Sequence, residues 1–125
     1  MKYYTEEHEW VEVEDGVATV GITEYAAREL GDITFVELPE KGSEFGQGDV
    51  LSVVESVKAA SDVFAPVSGR VLSANRILAD RPELINESPE EDGWICKLAD
   101  VDEKELENLL TDAEYSQMVS NLSKD

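Results

Sequence analysis

The stretch from Val50 to Pro66 constrains the fold of this chain more than any other, because two valine-rich arms flank a single lysine, Lys58, set among small residues. A Gly-Asp pair at 48–49 precedes the stretch and a Ser-Gly pair at 68–69 follows it, and such pairs are typical of turns. β-Branched residues are enriched in strands. These features favour a β-hairpin with Lys58 at its tip.

The local pattern leaves a second interpretation open. Val53, Val57, Ala60 and Phe64 also fall at the spacing of one face of an amphipathic helix. The centre of the stretch, residues 57–60, has no Gly, Asn or Asp, which a tight hairpin turn favours. Periodicity alone therefore does not separate the hairpin from a helix, although the valine content and the outer turns favour strands.

The acidic composition excludes two classes of partner. The 125 residues include 10 basic and 29 acidic side chains, and the formal net charge of −19 repels nucleic acid and anionic lipid. No apolar run approaches the ~20 residues that cross a bilayer, so we expect no membrane association. The charge either steers the chain towards partners with basic patches or keeps it soluble and monomeric, and we expect a monomer.

The N-terminus and the single cysteine bear on the compartment. Residues 1–7 lack the apolar core of a signal peptide and the arginines of a transit peptide. A lone cysteine, Cys96, cannot form an internal disulfide, which fits a reducing environment. We expect a cytoplasmic protein, or one of the mitochondrial matrix if the chain is a processed eukaryotic one.

Turn and cap signals divide the first hundred residues into short elements. Residues 10–14 and 17–22, joined through Asp-Gly at 15–16, predict a second hairpin. Thr23 predicts the start of a short helix that Gly31 ends. Residues 75–91 contain two prolines and predict an irregular loop with a helical turn. Further strands are predicted at 33–39, 69–74 and 94–98, the last with Trp94, Cys96 and Leu98 on one face.

The period of the apolar residues changes after residue 101. Asp102 followed by Glu105 resembles a helix capping box, and Asp112 is the predicted cap of a second short helix. Residues 120–125 are expected to fray. The pattern predicts a mainly β fold of one domain, 1–125, with a sandwich of two antiparallel sheets over about 1–100 and a helical cap over about 101–122. The second helix carries an apolar stripe of Tyr115, Met118, Val119 and Leu122.

The segment from Glu55 to Asp62 resembles the lipoylation site of the glycine cleavage system H-protein family. Further segments that match this family lie in the same order along nearly the whole chain, and so many collinear matches rarely arise by chance. One departure is Glu90, because the family often has an aromatic residue at this point. The matching segments are 8–11, 20–23, 30–33, 35–39, 48–49, 65–69, 82–86 and 93–94.

The resemblance implies a lipoyl-domain-like sandwich that carries lipoate as an N6-lipoyl amide on Lys58. In this family the lipoyl arm takes an aminomethyl group from a pyridoxal-phosphate glycine decarboxylase to a tetrahydrofolate-dependent aminomethyltransferase. The FAD enzyme dihydrolipoamide dehydrogenase reoxidises the arm, and a lipoate ligase or a lipoyl/octanoyl transferase attaches it. The implied protein is a swinging-arm carrier and not an enzyme. One alternative is a lipoyl or octanoyl relay that supplies 2-oxoacid dehydrogenase subunits, and another is a pure binding scaffold.

Two acidic residues are candidates for holding the loaded arm. The resemblance assigns this role to Glu9 and to Asp62, which would pair with a primary amine in a cleft and shield it from water. The other interpretation is plain surface charge, since the chain has 29 acidic residues. Small neighbours leave the amine of Lys58 accessible, and the candidates for recognition by the modifying enzyme are Glu55, Ser56, Val57 and Ala59.

The sequence offers no catalytic machinery of its own. His8 has no triad or zinc set around it and is expected to be structural, and Cys96 is expected to be a small core residue. A Schiff-base role for Lys58 is disfavoured because nearby acidic residues hold its ammonium charged. No metal-ligand cluster or phosphate-binding glycine loop is found.

Overall fold

The valine-rich stretch forms a β-hairpin in the computed structural model, which describes residues 2–122. Strand β6, Val50–Ser56, pairs antiparallel with β7, Ala60–Phe64. Val54 and Val63 are buried while Glu55 and Asp62 are exposed, which is the period of two that a half-buried strand shows. The helical interpretation of this stretch is wrong, because the two arms pair with each other as antiparallel strands.

This hairpin belongs to the smaller of two antiparallel sheets, so the predicted mainly β sandwich is confirmed. The three-stranded sheet has the order β4-β6-β7, with β4 at Ile33–Glu37. The six-stranded sheet has the order β1-β2-β3-β9-β8-β5. Its strands are β1 Lys2–Tyr4, β2 Glu9–Glu14, β3 Val17–Ile22, β5 Glu44–Phe45, β8 Gly69–Ala74 and β9 Cys96–Ala99.

The inner faces of the two sheets enclose the core. Val11, Val20 and Leu98 of the larger sheet are fully buried, as is Val54 of the smaller one. Fully burying one such side chain contributes ~1.5–3 kcal/mol relative to leaving it in water. The sandwich therefore gains most of its stability from the alternating apolar positions that the sequence pattern identifies.

Helix α1, Glu24–Leu30, begins and ends where its cap signals predict. The Thr23 side chain accepts a hydrogen bond from the Ala26 amide, and the Gly31 amide donates to the Ala27 carbonyl. The long loop contains two helical turns, α2 at Ile77–Asp80 and α3 at Leu84–Glu87. Asn86 ties the loop to the start of β4, since its side chain accepts from the Ile33 amide at 2.9 Å.

Three sequence predictions near the C-terminus are wrong in detail. Strand β9 begins at Cys96, and Trp94 instead packs half-buried against a separate aromatic cluster. Residues Glu103–Asn108 form a 3₁₀ helix whose cap Asp102 accepts from the Lys104 amide. The Glu105 carboxylate does not complete a capping box, because it accepts hydrogen bonds from the Ser68 amide and hydroxyl, both at 2.7 Å.

Helix α4, Asp112–Leu122, is capped by Thr111 and not by Asp112. The Thr111 hydroxyl accepts from the Glu114 amide, and the Glu114 carboxylate accepts from the Thr111 amide at 2.9 Å, which is a reciprocal capping box. Tyr115 is buried, whereas Leu122 is 49% exposed and does not join the predicted apolar stripe. Part of the end predicted to fray, residues 123–125, lies outside the described residues.

Candidate functional site

Lys58 lies at the exposed tip of the β6–β7 hairpin. The Ser56 amide donates to the Ala59 carbonyl at 2.7 Å and closes the turn. The Ser56 hydroxyl accepts from the amides of Lys58 and Ala59 at 3.2 and 3.1 Å. These bonds fix the backbone beneath the lysine while its side chain extends into solvent.

The sequence does contain a signal for this turn, namely the hydroxyl residue Ser56. Glycine and asparagine favour turns because they tolerate unusual backbone angles, but a serine hydroxyl makes a turn by bonding amides two and three residues ahead. Ser56 does this, and no residue at the tip has a positive φ angle. A hydroxyl residue two positions before the lysine therefore replaces the glycine that a tight hairpin turn usually contains.

The Lys58 amine is free of ion pairs and hydrogen bonds within residues 2–122. Its neighbours Val57 and Ala59 are exposed, with Val57 71% accessible. The Val57 amide donates to the Asp32 carbonyl at 3.1 Å, so the loop before β4 supports the tip from one side. An enzyme can reach the amine without displacing any neighbouring side chain.

Glu9 is the only charged residue that is buried within the described part of the chain, and it is 2% exposed. One carboxylate oxygen accepts a hydrogen bond from the Thr5 hydroxyl, and the other accepts from the Phe64 amide at 3.1 Å. Glu9 lies on β2 of the larger sheet and Phe64 on β7 of the smaller sheet. Its side chain therefore links the two sheets at the base of the lysine hairpin.

The Glu9 carboxylate borders a cleft of about 370 Å³, which we call the Glu9 cleft. Burial raises the pKa of this carboxyl, the bonds from Thr5 and Phe64 oppose that rise, and the charge of Glu7 adds to it. A cation that entered the cleft would compensate the burial of the carboxylate. The lining residues are Thr5, Glu7, Glu9, Gln47, Gly48, Phe64, Ala65, Pro66, Asn108 and Leu109.

Asp62 lies between the tip and the cleft and is exposed. It shares one face of β7 with Phe64, which lines the Glu9 cleft, but Asp62 itself does not line it. At ~3.3 Å per residue, the four steps from Ala60 to Phe64 span about 13 Å. The turn that carries Lys58, Asp62 on β7 and the Glu9 cleft at the end of β7 thus follow one another, while the two carboxylates differ sharply in burial.

The cleft also contains Gln47 and Asn108, which no sequence pattern marks as functional. Gln47 donates to the Pro66 carbonyl at 2.9 Å and accepts from the Asn108 side chain at 3.2 Å. These amides join the base of the hairpin to the 3₁₀ helix. No local signal marks them, because their partners are 19 and 61 residues away in the sequence.

These features and the comparisons with known proteins lead to one family. The model of the glycine cleavage H-protein family matches residues 2–122. The chain belongs to the glycine cleavage H-protein family. The glycine cleavage system H protein of Staphylococcus epidermidis is 53% identical over 116 residues, which cover 93% of this chain and 92% of that protein.

Two further comparisons support membership of the H-protein family. The glycine cleavage system H protein of Bartonella quintana is 50% identical over 117 residues, covering 94% of this chain and 96% of that protein. The crystal structure of an H protein from Mycobacterium marinum has a TM-score of 0.85 at 36% identity, covering 95% of this chain and 96% of that one. The resemblance found in the sequence is therefore confirmed.

The departure from the H-protein pattern at Glu90 has a structural explanation. Its carboxylate accepts from the Glu24 amide at 3.1 Å and lies 3.7 Å from the Lys2 amine. Glu90 therefore joins the long loop to β1 and to the start of α1.

The other reactive side chains have structural surroundings. His8 Nδ1 lies 2.8 Å from the Tyr115 hydroxyl, and burial lowers the pKa of its imidazole. Burial raises the pKa of the Cys96 thiol to about 12, which leaves it protonated at neutral pH. Among the described residues, no cluster of three or more His, Cys, Asp or Glu could hold a metal ion. No helix between residues 2 and 122 is long and apolar enough to cross a membrane.

The raised pKa of Glu9 predicts a specific pH dependence of stability. Because the folded pKa lies above the ordinary value of 4.5, the folded state binds more protons than the unfolded state. The Glu9 contribution is therefore lost as pH rises from about 4.5 through the folded pKa. Glu9→Gln keeps an acceptor for the Phe64 amide and never ionises. We expect this variant to gain stability relative to the wild type as the pH rises above about 4.5.

Urea unfolding of both proteins at each pH measures this change. Glu14→Gln is the matched control, because Glu14 lies on the same strand and is exposed. Glu14→Gln controls for the removal of one carboxyl from β2. A pH-independent stability difference between Glu9→Gln and the wild type would contradict the raised pKa of the buried carboxyl.

Proposed function

We propose that this chain is the lipoyl-carrying protein of the glycine cleavage system, with lipoate attached as an amide to Lys58 Nζ. The observation that carries the proposal is the exposed, unpaired amine at a rigid hairpin tip in a member of the H-protein family. Amide formation needs access to Nζ and a backbone that holds it in place. The bonds made by Ser56 supply the second requirement.

The acidic surroundings of the tip suit attachment by an external enzyme. Glu55 and Asp62 lie near Lys58 in the hairpin, and neither can activate the amine for attack on an acyl group. The modifying enzyme, a lipoate ligase or a lipoyl/octanoyl transferase, would have to supply both an activated acyl group and a base. The amide removes the positive charge of the lysine, so the hairpin tip becomes more acidic after attachment.

The lipoyl group, when attached, supplies the disulfide–dithiol chemistry that accepts an aminomethyl group from glycine decarboxylase, gives it to aminomethyltransferase and is reoxidised by dihydrolipoamide dehydrogenase. The chain itself would supply position and protection. Tethering the reactive group to a single lysine makes each transfer effectively intramolecular within the complex. We therefore infer a carrier without catalytic residues of its own.

Glu9 would hold the amine of a loaded arm. The carboxylate is nearly inaccessible, and its two hydrogen bonds fix its orientation at the wall of the Glu9 cleft. A charged hydrogen bond between an ammonium group and this carboxylate gains strength because the carboxylate is buried. Asp62, exposed on β7 between the tip and the cleft, would attract the amine before it reaches Glu9.

The helical segment contributes to the same site, so we infer that the chain works as one unit. Asn108 and Leu109, at the end of the 3₁₀ helix, line the Glu9 cleft together with residues of the β-sandwich. The backbones of Tyr4 and Leu110 exchange hydrogen bonds of 2.9 and 2.8 Å, which attach this segment to β1. A truncated chain that ends near residue 100 would lose one wall of the cleft.

The intact mass of the protein purified from lipoate-replete cells tests the proposal. We expect the mass of one lipoyl group, located on Lys58 by peptide mapping. An unmodified Lys58, despite ample lipoate and a competent ligase, would contradict the carrier function. The chain would then be a member of the family that is kept for binding.

A further inference from the structure

The outward face of the three-stranded sheet lies directly beside the lysine tip. Strand register places Phe35, Glu55 and Ala60 side by side in one row. Register also places Glu37, Val53 and Asp62 in the next row, on the same face because β-strand side chains alternate. We call these six residues the outer sheet face.

The outer sheet face combines one exposed aromatic ring with three carboxylates. Phe35 is 52% exposed and is the one aromatic among the large apolar side chains that are exposed in the described part of the chain. Glu37, Glu55 and Asp62 are exposed and make no ion pair within residues 2–122. The face therefore carries a net charge of about −3 around an apolar centre, if each carboxyl is ionised.

An isolated exposed apolar residue needs no explanation, but the position of Phe35 does. Phe35 is paired with Glu55, three residues before Lys58, and the Thr34 hydroxyl next to it donates to the Glu55 carbonyl at 3.3 Å. Val57, 71% exposed, extends the apolar surface to the tip. The ring thus lies in the last row that all three strands share before the lysine tip, within the area that an enzyme enclosing Nζ would approach.

Among the proposed partners, the enzyme that acylates Lys58 is the one that best fits the outer sheet face as a docking surface. It forms the bond between Nζ and the carbonyl carbon of an activated lipoyl group, such as an acyl adenylate. The bond from that carbon to the leaving group breaks, the leaving group keeps the electron pair, and a base takes the proton lost by the amine. This reaction occurs at Nζ itself, whereas later partners act at the distal end of the arm, farther from the outer sheet face.

We propose that the outer sheet face is the docking surface for the lipoate ligase, with Phe35 as its apolar anchor and Glu37, Glu55 and Asp62 as an acidic rim. The inference rests on the proposed function. The ligase surface that fits it has an apolar pocket surrounded by lysine or arginine side chains. A buried aromatic ring at the centre of an interface typically dominates its affinity, and rim charges mainly set the rate of association and its salt dependence.

Lipoylation of the purified, unmodified chain by a lipoate ligase with lipoate and ATP tests the docking surface, with intact mass as the readout. We expect Phe35→Thr, which keeps a strand-forming residue, to raise the KM for the chain about tenfold or more. Phe35→Leu, which keeps an apolar side chain, should restore most of the loss. Ile77→Thr is the control for an exposed apolar residue, since Ile77 is 57% exposed on α2, and should leave KM unchanged.

The acidic rim has its own test. Glu37→Gln should raise KM at low salt and approach the wild-type KM at high salt, because screening removes the electrostatic attraction. Glu44→Gln, at an exposed position on β5, should have no such effect. Lipoylation of Phe35→Thr at the wild-type KM would overturn the docking inference and leave the carrier function intact. Failure of the folded wild-type chain to become lipoylated would instead overturn the proposed function.

Discussion

Lys58→Arg should abolish lipoyl attachment and, with it, all glycine cleavage supported by this chain. The guanidinium group keeps the positive charge, but it does not lose its proton in proteins and cannot form the amide. The tip is exposed and its turn depends on Ser56, so the fold should be unchanged within about 0.5 kcal/mol. Intact mass after incubation with lipoate ligase measures attachment, and glycine-dependent release of carbon dioxide in the reconstituted system measures function.

Lys41→Arg is the matched control for this substitution. Lys41 is also an exposed lysine in a turn, and its replacement should leave both attachment and glycine cleavage at the wild-type level. A pure binding scaffold makes the opposite prediction for Lys58→Arg, because the charge is retained. Full activity of Lys58→Arg in the reconstituted system would therefore refute the carrier function and favour the scaffold.

The parts of the fold that sequence predicted are those with local causes. The Asp-Gly pair at 15–16 makes the first hairpin because Asp15 and Gly16 both have positive φ angles, 51° and 77°. Thr23 and Gly31 delimit α1 through bonds to residues three and four positions away. Each of these signals acts within one turn of chain, so a single sequence contains all of the necessary information.

The structural details that the sequence did not predict depend on competition between alternative hydrogen-bond partners. Thr111 and Asp112 are both good helix caps, and the local sequence does not choose between them. The backbone bonds between Tyr4 and Leu110 hold the chain extended up to residue 110, which makes Thr111 the first residue free to cap. The Glu105 carboxylate likewise does not complete a capping box, because Ser68, 37 residues away in the sequence, offers it two hydrogen-bond donors.

The same limit applies to the two carboxylates of the candidate site. The sequence gives no reason to expect different burial for Glu9 and Asp62, since each is an acidic residue next to an apolar one. The structure separates them because the Glu9 side chain crosses between the sheets to the Phe64 amide, 55 residues away, whereas Asp62 faces outward. The packing of the two sheets against each other buries Glu9, and the pairing register of β6 and β7 turns Asp62 outward, so both outcomes are properties of the assembled sandwich.

Trp10→Ala should cause the largest loss of stability among the substitutions considered. Trp10 is 2% exposed, packs with Tyr4 and Tyr115, and donates from its indole nitrogen to the Pro89 carbonyl at 3.0 Å. Truncation of a buried tryptophan costs roughly 3–5 kcal/mol. That is a large fraction of the ~5–15 kcal/mol by which proteins are typically stable. Urea unfolding followed by circular dichroism measures the loss without relying on the missing indole fluorescence.

Gly21 lies opposite Trp10 in the β2–β3 ladder and turns this prediction into a double-mutant cycle. A Cβ atom at Gly21 would approach the Trp10 indole nitrogen to 2.7 Å, so Gly21→Ala alone should cost roughly 1–3 kcal/mol by overpacking. In the Trp10→Ala background the indole is gone, and the same methyl group should be neutral or stabilising. Equal costs of Gly21→Ala in both backgrounds would mean that the methyl group and the indole are not coupled, and would refute overpacking against Trp10 as the cause of the loss.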